Sequence, residues 1–229
     1  MPDMRIAVLI PAHNESAALP RVLDAIPKDL VEEVVVVDNA STDGTAGVAR
    51  AGGATLLEEP RLGYGAACLR GIDYLKVKRP DVVVFLDGDF SDHPEEMPAL
   101  VEPIRRGACD LVIGSRVLGR REPGALLPHA RLGNILATGL IRLLHGARFT
   151  DLGPFRAIRF DRLLELEMRD QGFGWTVEMQ VKAVRRGLVA LEVPVSYRKR
   201  LGVSKISGTL GGSLRAGYTI LRTVLRNRA

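Results

Sequence analysis

Short, continuously apolar runs recur through the first half of the chain, each followed by an amphipathic stretch, and this alternation restricts the fold more than any other feature. The runs are RIAVLI (5–10), VEEVVVVD (31–38), ATLLEE (54–59), DVVVFLD (81–87) and DLVIGS (110–115), with helical patterns at about 15–27, 42–52, 64–78 and 95–106 between them. Such runs, separated by helices, predict an α/β fold: a Rossmann-like, mainly parallel sheet covered by helices on both faces. Ligands of these sheets bind beyond the carboxyl ends of the strands. Four of those ends are polar: Pro11 to Glu15, Asp38 with Asn39, Asp87 with Asp89, and Ser115 with Arg116.

The fourth run ends in a concentration of charge, VVVFLDGDFSDHPEE (82–96). A buried carboxylate is costly unless paired, hydrogen-bonded or bound to a metal. Asp87 and Asp89 are two residues apart, so on extended backbone their carboxylates point to the same side. Two hard oxygen ligands there, with Gly88 leaving room between them, suit Mg²⁺ or Mn²⁺ shared with a phosphate-bearing substrate. Capping is the competing use, because Asp89, Ser91 and Asp92 precede a helix expected from Pro94, whose first turn suits Glu95 and Glu96. On position, Asp92 is expected to be the cap, whereas Asp87 lies too early to be one.

Composition excludes several classes. At 229 residues, 46% hydrophobic and 26% charged, the chain is expected to form one globular domain. Cys68 and Cys109 lack CxxC spacing and read as reduced core thiols. The N-terminal apolar run is too short for a signal peptide or a membrane span, and arginines interrupt the stretches near 132–145 and 210–225. A cytoplasmic protein is expected, at most peripheral at the inner face of the membrane. Residues 1–115 carry a net charge of −8 and residues 116–229 a net +13. An acidic half suits a metal, and a basic half suits phosphates or an anionic membrane surface. No nucleic-acid-binding motif is visible. The first strand leads into PAHNE rather than GxGxxG, no P-loop is present, and GYGAAC (63–68) reads as a turn opening a helix. The four histidines form no ligand set.

The second half is less regular. A charged Gly/Pro loop (119–130) leads to a helix at about 131–145, with Leu132, Ile135, Leu136, Leu140, Leu143 and Leu144 at helical spacing. TDLGPFRAIRF (150–160), a helix at 175–187 and the strand LVALEVPVSYR (188–198) follow. One unit over 1–206 is expected, with halves at 1–115 and 116–206, then a C-terminal helix over 207–229. That helix has an apolar stripe (Leu210, Leu214, Tyr218, Leu221, Leu225) and a basic complement of Arg215, Arg222, Arg226 and Arg228. A membrane surface, the core and a partner subunit all fit it.

IPAHNE (10–15), VVVDNASTDGT (35–45), RLGYGAACLRGI (61–72), FLDGDFSDHPEE (85–96) and DLVIGSR (110–116) resemble, in order, the motif series of family-two inverting glycosyltransferases with the GT-A fold. DLGPFRAI (151–158), WTVEMQVKAVRRG (175–187) and EVPVSYRKRLGVSK (192–205) are similar to the polyprenyl-phosphate (dolichyl-phosphate) mannosyl- and glucosyltransferases within it. The resemblance implies that residues 1–115 bind a GDP- or UDP-linked sugar. Pro11, Ala12, Glu15 and Asp38 would touch the nucleotide, with Asp87 near the ribose or metal. Asp89 would be the principal ligand of Mg²⁺ or Mn²⁺, which stabilises charge on the leaving diphosphate. Arg200, Ser204 and Lys205 resemble a segment that closes on the donor. Arg116 and Arg131, in the acceptor half, would grip the phosphate of a lipid acceptor, which a guanidinium fork suits. Such a phosphate is ionised near neutral pH, so no general base is required.

Three departures qualify the resemblance. Relatives that glycosylate hydroxyls carry a Glu-Asp pair and a later QxxRW, whereas this chain has GFGWTVEMQ and no QxxRW. Glu178 is left as a base, an orienting group or a plain helix residue. Ser91 stands where some relatives place a longer side chain in the metal shell, and Asn39 where many have a second acid. The rival expectations are transfer to a soluble sugar or small-molecule hydroxyl, a nucleotidyltransferase, and a non-catalytic donor-binding module.

Overall fold

The computed structural model describes residues 4–202. Its strands are β1 (Ile6–Ala12), β2 (Glu33–Asp38), β3 (Thr55–Glu58), β4 (Val82–Phe85), β5 (Leu111–Ser115), β6 (Arg156–Arg159) and β7 (Ala190–Pro194). They form one seven-stranded sheet in the order β3-β2-β1-β4-β6-β5-β7. Every neighbouring pair is parallel except those of β6, which runs antiparallel to both β4 and β5. The sheet is therefore mixed and mostly parallel, as the alternating runs predict, with one reversal.

The helices are α1 (Leu19–Ala25), α2 (Thr45–Ala51), α3 (Tyr64–Lys78), α4 (Met97–Arg105), α5 (Pro128–His145), α6 (Phe160–Glu165) and α7 (Trp175–Arg185). Side chains alternate across a strand, so β1 feeds two cores. Ile6, Val8 and Ile10 pack with α1 and α4 through Leu19, Val22 and Leu100, and Ala7 and Leu9 pack with α3 and α7 through Leu75 and Trp175. Each of these large side chains contributes about 1.5–3 kcal/mol on burial, which holds the strand ends in register. A polar residue at Val8, which is fully buried, would break that arrangement first. A third cluster joins α5 to α7 through Ala137, Ile141, Val177 and Val181.

β6 and α6 correct the sequence reading, in which no strand was placed at 150–160. RAIR looks like surface because two of its four residues are arginines, yet Arg156 is 1% exposed and only Arg159 reaches solvent. The expected C-terminal helix, Ser204 and Lys205 lie outside the described residues. Among the described residues, no helix is long and apolar enough to cross a membrane.

Candidate active site

The strand ends of β1 and β2 are level, with Ala12 opposite Asp38, and their following loops are laced together. Glu15 N–H donates to Thr45 Oγ1 at 2.8 Å, Asn14 N–H to Ser41 Oγ at 2.9 Å, and Thr42 N–H to Asn14 Oδ1 at 2.7 Å. Asp43 accepts from the backbone of Ser16 and Thr45. Burial alone would raise its carboxyl, but these hydrogen bonds with Thr45 and Ser16 hold it down at about 2. Pro11 and Ala12 line this edge, and the Glu15 and Asp38 side chains turn inward, both 8% exposed.

Asn39 explains one departure from the family pattern. Its Nδ2 donates to the carbonyls of Glu59 and Arg61 at 3.0 and 2.7 Å, while its Oδ1 accepts from Gly63 N–H at 2.8 Å. A carboxylate could accept but not donate, so the amide is required to tie the β2 end to the loop before α3. The glycines of that loop are packing residues. A Cβ on Gly63 would lie 2.1 Å from Gln171 O, and one on Gly65 would lie 2.0 Å from Asp170 O. The carbonyls of Gln171 and Gly172 in turn accept from the N–H groups of Ala66 and Gly65 and satisfy the start of α3. As expected, GYGAAC opens a helix.

Beyond β4, Asp87 is half-buried and Asp89 is buried. Burial and then the Asp89 charge push the Asp87 carboxyl up to about 7. The Tyr64 hydroxyl is buried beside it, its titration raised by burial and then by Asp87. Ser91 donates through N–H and Oγ to Asp89 Oδ1, so its hydroxyl orients that carboxylate. Arg200 bridges the two strand ends, with Nη2 donating to Glu15 Oε1 at 3.0 Å and Nη1 lying 3.2 Å from Asp89 Oδ2.

Asp92 is not a cap. The short 3-10 turn Pro94–Glu96 is preceded by His93 and has no side-chain cap. Asp92 is instead 1% exposed, with both carboxylate oxygens buried and without a hydrogen bond. Burial, then Asp87 and Asp89, push its carboxyl well above the ordinary range. The segment 196–202 runs alongside it. Arg198 N–H donates to Ser91 O, Arg198 Nη2 to Asp92 O, and Leu201 N–H to Asp89 O. The Arg198 guanidinium also lies 3.6 Å from the centre of the Phe90 ring.

Beyond β5, Arg116 forms a two-pronged ion pair with Asp151, Nε and Nη2 each at 2.8 Å, while its backbone N–H donates to the same carboxylate. The guanidinium also lies 5.1 Å from the Tyr197 ring centre. Burial alone would ease its deprotonation, but Asp151 outweighs this and holds Arg116 charged. The turn 150–152 is fixed in its own right. Glu192 accepts from the N–H groups of Thr150 and Asp151, Gln180 Nε2 donates to Asp151 O, and Asn134 bonds both Thr150 O and Leu152 N–H. None of these supports had been singled out from the sequence, where DLG at 151–153 offered only an isolated acid. Arg131 lies exposed on the first turn of α5, and its side chain is not joined to Arg116 by any hydrogen bond among the described residues. Glu178 is taken up structurally: it accepts from the N–H groups of Arg169 and Asp170 and pairs with Lys182 Nζ at 2.8 Å.

The edge thus carries carboxylates after β1, β2 and β4 and a fixed guanidinium after β5. Its acids fit a divalent cation that arrives with a diphosphate, since Asp89 and Glu15 already hold one positive group, the Arg200 guanidinium. Among the described residues no group of three or more His, Cys, Asp or Glu could hold a metal ion.

A profile of the family described as "Glycosyl transferase family 2" matches residues 7–166. The chain belongs to this family. This glycosyltransferase is 39% identical over 91% of its length to an uncharacterized glycosyltransferase of Mycobacterium tuberculosis, covering 93% of that protein. It is 35% identical to the undecaprenyl-phosphate mannosyltransferase of Micrococcus luteus, over 91% of this chain and 90% of that one. The glucosyl-3-phosphoglycerate synthase of M. tuberculosis, solved in complex with Mn²⁺ and UDP-glucose, superposes with a TM-score of 0.73 at 26% identity, over 98% of this chain and 79% of that one. The family-two glycosyltransferase is therefore an enzyme of the GT-A fold, close to the polyprenyl-phosphate hexosyltransferases.

Proposed function

We propose that this enzyme moves a hexose from a GDP- or UDP-linked sugar, with inversion, to the phosphate of a polyprenyl-phosphate-type lipid. The observation that carries the reading is the division of one sheet edge into an acid cluster with Arg200 after β4 and a buried, Asp151-anchored guanidinium after β5. The likeness to the undecaprenyl-phosphate mannosyltransferase supports the acceptor class.

Pro11, Ala12, Glu15 and Asp38 receive the nucleotide, and Asp87 and Asp89 receive the diphosphate together with Mg²⁺ or Mn²⁺. When bound, the cation stabilises negative charge on the departing diphosphate. Arg200 exchanges its carboxylate partners for diphosphate oxygens; Ser204 and Lys205, which the family resemblance adds to the donor side, lie outside the described residues. Arg116 and Arg131 orient the acceptor phosphate. An ionised phosphate oxygen attacks the anomeric carbon, and the bond to the diphosphate oxygen breaks on the opposite face. Glu178 supplies no base, because its carboxylate is committed to the 169–170 backbone and Lys182.

The test is transfer from a panel of GDP- and UDP-sugars to a short polyprenyl phosphate, with Mg²⁺ or Mn²⁺. Full metal-dependent transfer by Asp89→Ala would sink the reading. A second reading, transfer to a soluble small-molecule hydroxyl, draws on the likeness to glucosyl-3-phosphoglycerate synthase. Product formed only from a soluble acceptor would favour it.

A further inference from the structure

The loops that follow β1, β2 and β4 each turn on a residue of positive φ that is not glycine: Asn14 at 54°, Ala40 at 55° and Phe90 at 61°. A β-carbon resists this left-handed conformation; asparagine tolerates it best, and a bulky side chain is its least usual occupant. Glycine would make the turn between Asp89 and Ser91 without that cost. A phenylalanine held there points to a task for its ring.

The half-buried ring packs against the core cluster that joins β1 to α1 and α4. The Arg198 guanidinium centre lies 3.6 Å from the ring centre, so it covers a face of the ring rather than its edge. Arg198 Nη2 donates to Asp92 O at 2.9 Å, but Nε is buried without a hydrogen bond. Stacking completes what hydrogen bonding leaves open at this guanidinium.

The same run of chain carries Arg200 to Glu15 Oε1 at 3.0 Å and Asp89 Oδ2 at 3.2 Å. Its backbone is tied to the acid loop by Arg198 N–H to Ser91 O at 2.9 Å and Leu201 N–H to Asp89 O at 3.0 Å. Those bonds accept at backbone carbonyls, which any residue supplies. The stacked pair is the link that depends on the residue at position 90.

We propose that Phe90 is a positioning residue for the donor: its ring seats Arg198, and Arg198 fixes the run that holds Arg200 against Asp89 and Glu15. The proposal rests on the reading in which Asp89 and Arg200 receive the donor diphosphate. Phe90 itself touches no substrate and acts through the two arginines.

Binding of UDP and of GDP, each with Mn²⁺, is measured on the full chain by calorimetry, and KM for donor and acceptor by transfer. Phe90→Leu keeps apolar bulk but has no ring face, and is expected to weaken nucleotide binding about three- to tenfold with the acceptor KM unchanged. Phe90→Tyr keeps the face and is expected to bind within about twofold of the native chain. Arg198→Met, which leaves the core untouched, is expected to show the same loss as Phe90→Leu. The double variant is expected to bind no more weakly than the weaker single one, because both remove one contact. Phe90→Gly is expected to lose binding yet to unfold at a higher temperature than Phe90→Ala, since only glycine relieves the turn.

Native affinity in Phe90→Leu or Arg198→Met overturns the proposal. So do equal losses in Phe90→Leu and Phe90→Tyr, which would make the ring a core filler alone, additive losses in the double variant, or a Phe90→Gly that unfolds below Phe90→Ala. Arg200→Ala tests the reading beneath. Unchanged nucleotide binding in Arg200→Ala would sink the donor assignment itself, whereas a loss there without one in Phe90→Leu would sink this proposal alone.

Discussion

The β1–β2 end and the β5 end of the sheet edge, which the proposed reaction assigns to donor and acceptor, are held in place by different means. After β1 and β2, backbone N–H groups bond to side chains no more than 30 residues away, as Glu15 does to Thr45 and Thr42 to Asn14. After β5, Arg116 depends on Asp151, and Asp151 depends on a turn fixed by Glu192, Gln180 and Asn134. The first arrangement is a set of parallel ties, any one of which can fail alone. The second is a series, in which each member transmits the loss of the next.

The largest effect is expected from breaking that series. Asp151→Ala leaves Arg116 buried without its partner and should cost about 3–5 kcal/mol, read by urea unfolding. A loss below about 1 kcal/mol would put the two ends on an equal footing. Next comes Gly65→Ala, whose new methyl meets a backbone oxygen 2.0 Å away that cannot swing aside. A cost of about 2–3 kcal/mol is expected, with the KM for the donor raised through the displaced start of α3.

Asn39→Asp sharpens the comparison from the donor side. It removes two donated hydrogen bonds and should cost about 1–3 kcal/mol, with a weaker thermal shift from the donor and an unchanged KM for the acceptor. Asp43→Ala should be smallest, about 1 kcal/mol or less, because the carboxylate is exposed. Its pH signature is distinct. A carboxyl held down at about 2 adds stability above its ordinary range, and the native protein loses that increment as pH falls from about 4 toward 2. Acid titration of Asp43→Ala should therefore lack it.

The sequence made the acids of this edge legible because they sit where a strand pattern ends: Glu15, Asp38, Asp87 and Asp89 follow runs that alternate with helices. It hid the series because Asp151, Glu192, Gln180 and Asn134 carry no local pattern and meet only in the folded chain. Asp92 was misread for the same reason. Ser, Asp, Pro and Glu together look like a helix start, and the segment 196–202, about a hundred residues later, bonds to that stretch only in the folded chain. Strand β6 escaped because a buried arginine bonded to the Gly153 and Thr176 carbonyls reads as a surface residue.

That strand has an electrostatic consequence. Phe85 and Ile113 both lie opposite Arg156, so β4 and β5 run two interstrand spacings apart, roughly 9.6 Å, and β5 continues two residues further, to Ser115. On the proposed reaction an anion gathers at each end. Two unit charges at that distance repel by roughly 1.7 kcal/mol at an effective dielectric of about 20, against about 4 kcal/mol at 4 Å. By reversing direction, β6 fills the gap without adding another carboxyl end to the edge. On the proposed reaction it would act as a spacer between two like-charged substrates on one side of a sheet.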